Sequence, residues 1–238
     1  MLNKCPVVRL EGVDKVYRRG AEEIHALKNI NLTFSAGDYV SIIGPSGSGK
    51  TTLLNIIGCL DKASRGKVEV GGLDTTSLRE KELVRIRREK IGFVFQQFYL
   101  LPGLTVRENI ALPLTFSKRP VDEQRMEEIL KLVGLQGRAG HKPNQLSGGE
   151  MQRTAIARAI VNNPCVILAD EPTGNLDVNS RERIYELLHD LNGKGLTIVL
   201  VTHDLNAAER TQTTFAMTDG MLHPVDDVAD YFCRMKAV

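Results

Sequence analysis

The sequence predicts an α/β fold, with an antiparallel β-layer in front of the α/β core and a helical segment inserted within it. Three observations carry this. Short, almost continuous apolar runs at residues 39–43, 166–169 and 196–201 are the length of buried strands and too short for buried helices. Residues 28–34 instead alternate, with Ile30, Leu32 and Phe34 on one face, as a half-buried strand does. Between residues 98 and 163 the composition changes, with Pro102, Pro113, Pro120 and Pro143 separating segments of helical spacing.

In chain order, Val7-Val8-Arg9-Leu10 and residues 28–34 are the strands of the opening layer. Tyr17, between them, reads either as a half-exposed strand residue or as a platform for a nucleobase. Ser35-Ala36-Gly37-Asp38 supplies the turn into the buried strand Tyr39-Val40-Ser41-Ile42-Ile43. The stretch Gly44-Pro45-Ser46-Gly47-Ser48-Gly49-Lys50-Thr51 follows, and Thr52-Leu53-Leu54-Asn55-Ile56-Ile57 leaves it as a helix. This fits G-x-x-x-x-G-K-[ST] in the strand–loop–helix setting that the pattern requires. Its glycines let successive N–H groups face one concavity, and the positive end of the helix adds to their pull on a polyphosphate. Lys50 would bring a point charge to the β- and γ-phosphates, and the Thr51 hydroxyl a ligand for Mg²⁺.

Lys67-Val68-Glu69-Val70 and the residues after Gly71-Gly72 read as two short strands. Residues 78–90 read as a charged helix whose arginines (Arg79, Arg85, Arg87, Arg88) form a solvated face. Ile91-Gly92-Phe93-Val94-Phe95 reads as a buried strand ending at Gln96-Gln97, where open α/β sheets place ligands. Residues 98–104 are apolar for a loop and expected to dock something. Residues 122–132 carry Met126, Ile129 and Leu130 at helical spacing. Ser147 and Glu150 form a capping box at the start of an Ala-rich helix, and Gly148-Gly149 leaves bare N–H groups there for a second anion.

The strand at 166–170 ends in Asp170-Glu171. Beside a phosphate loop, Asp170 would hold the metal shell and Glu171 would orient and deprotonate water. Gly174-Asn175-Leu176-Asp177 is a tight loop, residues 181–191 an amphipathic helix, and residues 196–202 a strand ending at His203. Residues 213–217 and 221–222 close the sheet, and the last dozen residues read as a tail packed on the domain.

The bulk numbers narrow the classes. A chain of 238 residues suits one large α/β domain or a domain with a subdomain. With 42% hydrophobic and 25% charged residues and a net charge of +2, it carries no basic excess for coating nucleic acid. No run approaches the roughly 18 apolar residues of a membrane span, and the first six residues hold no signal-peptide core. A cytosolic protein, brought to a membrane only by a partner, is expected. Cys5, Cys59, Cys165 and Cys233 are scattered, with Cys59 and Cys165 in core-like contexts.

In this order, the motifs make the chain resemble the nucleotide-binding subunit of an ATP-binding-cassette (ABC) transporter, along nearly its whole length. The resemblance implies a P-loop NTPase (RecA-like) core formed by residues 1–97 and 164–238, with residues 98–163 as the helical subdomain. It implies that Tyr17 stacks on adenine, that the loop from Gly44 to Thr51, with Thr52, holds the phosphates, and that Gln96 joins Thr51 and Asp170 at Mg²⁺. Glu171 would be the catalytic carboxylate and His203 the contact to the γ-phosphate. Ser147, Gly149 and Asp177 would act across a head-to-tail homodimer that traps two ATP. Glu150 stands where Gln is commoner and would adjust the rate. The implied partners are transmembrane permease subunits, so the chain would sit peripherally on the cytoplasmic side of the inner membrane. Asn55-Ile56-Ile57-Gly58-Cys59-Leu60-Asp61 and His141-Lys142-Pro143-Asn144-Gln145, among other connecting stretches, are similar to the lipoprotein-release and macrolide-export group (LolD and MacB-like proteins). An importer subunit is the alternative. A soluble ATPase of DNA repair or translation fits poorly, since neither heptad runs nor a second phosphate loop is present.

Overall fold

The computed structural model describes residues 6–20 and 22–236. Cys5 and the reading of residues 1–5 as leader-free lie outside the described residues. Two long strands, β1 (Pro6–Arg19) and β2 (Glu22–Ser35), pair antiparallel. They are followed by β3 (Tyr39–Ile43), α1 (Lys50–Ile57), β4 (Arg65–Val70) and β5 (Leu73–Asp74). Next come α2 (Glu80–Lys90), β6 (Ile91–Phe95), α3 (Val106–Phe116), α4 (Glu123–Leu132) and α5 (Gly148–Ile160). The chain ends with β7 (Val166–Asp170), α6 (Val178–Gly193), β8 (Thr197–Val201), α7 (Leu205–Glu209), β9 (Thr213–Thr218), β10 (Met221–Val225) and α8 (Val228–Lys236).

Two sheets result. One is antiparallel with strand order β2-β1-β4-β5; the other runs β10-β9-β3-β8-β7-β6, and only β10 is antiparallel to its neighbour. The strand before the phosphate loop, β3, therefore lies inside the sheet between β9 and β8. The two-residue period of the buried strands divides the core. Val166, Leu168, Val199, Val201, Val40 and Ile42 face α1 and the antiparallel layer. Ile167, Ala169, Ile198 and Leu200 face the opposite way, onto α5, α6 and the helices between β6 and β7. Both faces are apolar because both are covered, which is why these strands read as unbroken runs.

Local sequence accounts for the helix starts. Thr105 with Glu108 and Ser147 with Glu150 each close a capping box, and Asp122 and Asp177 cap α4 and α6. Two readings need correction, and a third, the tail packed on the domain, gains a helix. Arg87 and Arg88 are not simply solvated, since they donate to the carbonyls of Cys59 (2.6 Å) and Phe116 (3.0 Å). At the start of the insert, Phe98 packs on the core while Tyr99 and Leu101 stay exposed, so only part of that segment is free to dock. The C-terminal residues form helix α8, which packs Tyr231 and Phe232 against Ile43, Ala208 and Ala216.

Candidate functional site

The loop from Gly44 to Gly49 turns between β3 and α1 through backbone conformations that only glycine holds cheaply. Gly44 has φ +150° and a Cβ there would meet the Met217 carbonyl oxygen at 2.2 Å; Gly49 has φ +110° and a Cβ would meet that of Ala26 at 2.5 Å. The sheet and the antiparallel layer thus press on the loop from two sides. The Ser48 hydroxyl is buried with no hydrogen-bond partner among the described residues, and Gly220 N donates to Ser48 O (3.0 Å). Lys50 Nζ donates to the carbonyls of Gly44 (2.9 Å) and Pro45 (2.7 Å), which lays its charge along the loop. Burial pushes the Lys50 pKa down, opposed by the charges of Glu171 and Asp170.

A cavity of about 710 Å³ opens over this loop. It gathers Gly44, Ser46, Gly47, Gly49, Lys50, Thr51 and Thr52 with Gln96, Asp170, Glu171 and His203, the ends of three neighbouring strands. Thr51 Oγ1 lies 3.4 Å from Asp170 Oδ2. Burial and then the Glu171 charge raise the Asp170 pKa, and the Thr51 hydroxyl and Lys50 pull it back. Such a carboxylate gains from a cation. A hydroxyl, a carboxylate and the Gln96 amide on one wall suit Mg²⁺, which keeps few protein ligands and completes its shell with phosphate and water. Among the described residues no group of three or more His, Cys, Asp or Glu side chains could hold a metal by itself. Those three oxygens fit an ion that arrives with a nucleotide.

Glu171 holds a left-handed backbone, φ +48°, fixed by its N–H donating to Val201 O (2.9 Å). For a residue with a side chain this costs about 1–2 kcal/mol. His203 Nδ1 lies 2.8 Å from Glu171 Oε1. Gln96 Nε2 donates to Asn175 Oδ1 and Asn175 Nδ2 to Gln96 O, both at 3.2 Å. The amide's nitrogen is thereby used, and its oxygen is left as the end that can accept or ligate.

Other sequence-predicted residues lie elsewhere. Tyr17 is not in the cavity lining; it pairs across the β1–β2 ladder with Ile24, which is. Pro45, which is exposed, and Ser48, which is buried, belong to the loop but do not line the cavity. Ser147 and Gly149 open α5, and Asp177 caps α6, outside the cavity. Glu150 accepts from Ser147 N (2.8 Å) and from Arg138 Nε (3.0 Å), so its charge is paired; the Ser147 backbone bond first, then Arg138, hold its carboxyl below the usual range. Sequence reasoning missed the wall given by Ile24, His25, Ala26 and Lys28 of β2 and by Asp219-Gly220. That wall depends on Lys28 N donating to Gly220 O (2.8 Å), a contact no local pattern shows.

Comparison with known proteins decides the family. The family model described as ABC transporter matches residues 27–174. The chain belongs to the ABC transporter ATP-binding family. An uncharacterised ABC transporter ATP-binding protein of Methanocaldococcus jannaschii, MJ0796, is 53% identical over 221 residues, covering 90% of this chain and 94% of that protein. The macrolide export ATP-binding/permease protein MacB of Escherichia coli is 44% identical over 216 residues, covering 90% of this chain but only 33% of its own length. A solved structure of MJ0796, a dimer in a post-hydrolysis state with ADP and Pi, aligns with a TM-score of 0.83 at 50% identity and covers 92% of this chain and 99% of that one. This cassette is an ATP-binding ATPase subunit of a transporter. Among its described residues no helix is long and apolar enough to cross a membrane.

Proposed function

We propose that the cassette works as a head-to-tail pair, each ATP held between the phosphate loop of one copy and the α5 N-terminus of the other, and that closure drives export through separate permease subunits. One observation carries this reading. Lys50, Thr51, Gln96, Asp170, Glu171 and His203 line one cavity, while Ser147 and Gly149, a second anion-binding helix start, lie outside it. The cavity is half of a site. The dimeric form in which MJ0796 was solved supports the pairing.

In this reading Tyr17 stacks on adenine, the loop N–H groups and Thr52 bind phosphate oxygens, and Lys50 leaves the Gly44 and Pro45 carbonyls for the β- and γ-phosphates. Thr51, Asp170 and Gln96 hold Mg²⁺, which when bound supplies charge neutralisation on the phosphates. Glu171 orients the attacking water and draws off its proton, and His203, now bonded to that carboxylate, turns to the γ-phosphate. Ser147 and Gly149 of the second copy complete the anion cradle, and Asp177 lies at the joint between copies.

Export, rather than import, is favoured by the relatives named for macrolide export. The permease would dock on a groove of about 520 Å³ between α2 and the helical segment, lined by Val84, Phe93, Phe95, Pro113 and Phe116, of which Phe116 is 68% exposed. In this reading the cassette sits peripherally on the cytoplasmic side of the inner membrane. A net charge of +2 gives no basic excess to favour nucleic acid as a partner. The test is fractionation of cells expressing the cassette with its permease. Wild type should sediment with membranes and Phe116→Asp should not. A wild-type cassette that stays off the membrane and co-purifies with DNA or ribosomes overturns the reading.

A further inference from the structure

Tyr17 is 37% exposed near the end of β1, and its cross-strand partner Ile24 is itself 43% exposed. A ring so placed has little packing to fix it. Yet it is held in place, and its hydroxyl also meets the Thr52 side chain on α1. Its hydroxyl donates to Asp61 Oδ2 at 2.8 Å. The ammonium of Lys15 lies over the ring, 4.7 Å from its centroid, and donates to Asp61 Oδ1 at 2.7 Å and to Lys62 O at 2.8 Å. Both carboxylate oxygens are used, and Oδ1 also accepts from Lys62 N (2.7 Å). The Lys15 side chain is only 12% exposed, so its ammonium is held in place. Burial works against the Asp61 charge, but the bonds from Lys15 and Tyr17 hold its carboxyl below the usual range.

Asp61 stands on the turn that ends α1, where Leu60 N and Asp61 N both donate to Asn55 O (2.8 and 3.2 Å) and Cys59 takes φ +55°. The same helix begins at Lys50, at the phosphate loop. We propose that Asp61 and Lys15 are positioning residues, which fix the Tyr17 ring relative to α1 so that the face opposite the Lys15 ammonium is set at a constant distance from the phosphate cradle. The proposal rests on the reading of Tyr17 as the adenine platform. One face of the ring is covered by the ammonium, and the base takes the other. Fixing the ring before binding removes the cost of ordering it when the nucleotide arrives.

The test is calorimetric titration of the full chain with ATP and, separately, with inorganic tripolyphosphate, which has the charges but no base. Asp61→Ala is expected to weaken ATP binding about three- to tenfold and to leave tripolyphosphate within about twofold. Lys15→Met, which leaves the carboxylate in place, should show the same selective loss. Tyr17→Ala should weaken ATP more, and adding Asp61→Ala to it should cost nothing further. Equal losses for both ligands would make Asp61 merely structural and overturn the proposal. So would wild-type ATP affinity in Asp61→Ala while Tyr17→Ala is weakened. If Tyr17→Ala binds ATP as wild type does, the adenine reading itself falls, and the proposal with it.

Discussion

Gly49→Ala should damage both the fold and the site, and Gly47→Ala should do far less. Both glycines have positive φ, +110° and +79°, so each alanine meets backbone strain of about 1–2 kcal/mol. Only Gly49 also meets a wall. Its Cβ would sit 2.5 Å from the Ala26 carbonyl oxygen of β2, about 0.9 Å inside ordinary contact, whereas a Cβ on Gly47 meets nothing within 4 Å. The oxygen belongs to backbone and cannot rotate away, so loop and β2 must separate. That adds about 1–3 kcal/mol, as overpacking elsewhere does. At roughly 2–4 °C per kcal/mol for a chain of this size, Gly49→Ala should melt about 4–20 °C below wild type and Gly47→Ala about 2–8 °C below. Separation also misaims at least one loop N–H. A hydrogen bond to a charged group is worth about 1.5–3 kcal/mol, so ATP affinity should fall tenfold or more in Gly49→Ala alone. Differential scanning calorimetry and ATP titration read both effects. Equal melting and equal affinity in the two variants would refute the argument that β2 braces the loop.

Glu171→Gln keeps the residue's shape and removes its base, so ATP should bind within about threefold of wild type while turnover falls by about 10²-fold or more; wild-type turnover would exclude Glu171 as the base. The raised Asp170 pKa means that the folded state holds this proton more tightly than the unfolded chain does. Stability is therefore fullest below the unfolded carboxylate range and declines as pH rises through the folded value. Asp170→Asn should remove that decline and raise stability near neutral pH by about 0.5–2 kcal/mol while stopping turnover; melting scans from about pH 4 to about pH 8 check it, and a lower melting point at neutral pH would contradict it. Glu150→Gln keeps the Ser147 capping box and loses only the exposed Arg138 pair, so steady-state turnover should change by less than tenfold, under about 1.4 kcal/mol; a dead enzyme would contradict this.

The elements with strong local signals were legible. The run from Tyr39 to Ile43 and the glycine pattern after it placed β3, the loop and α1, and Ser147 with Glu150 marked the start of α5. What local pattern does not encode was missed. The start of β2, residues 22–26, is exposed up to the half-buried Ala26 and shows no alternation, yet it contributes to a wall of the cavity. Arg87 and Arg88 resemble surface charges until distant carbonyls are brought to them. Helix α8 has the Asp227 cap as a local start signal, but it is fixed by Tyr231 and Phe232 meeting residues of β3, α7 and β9. The same limit applies at the site. The sequence marks Lys50 at a helix start and Asp170 and His203 at strand ends, but the Asn175 contact to Gln96 and the Asp61 contact to Tyr17 span 79 and 44 residues.

The central claim is that each cavity is half of an ATP site. Light scattering coupled to size-exclusion chromatography of Glu171→Gln, with and without ATP and Mg²⁺, tests it most directly. The account predicts a monomer without nucleotide and, with it, a dimer holding two ATP. A variant that binds one ATP per chain at saturation and still elutes as a monomer would contradict it.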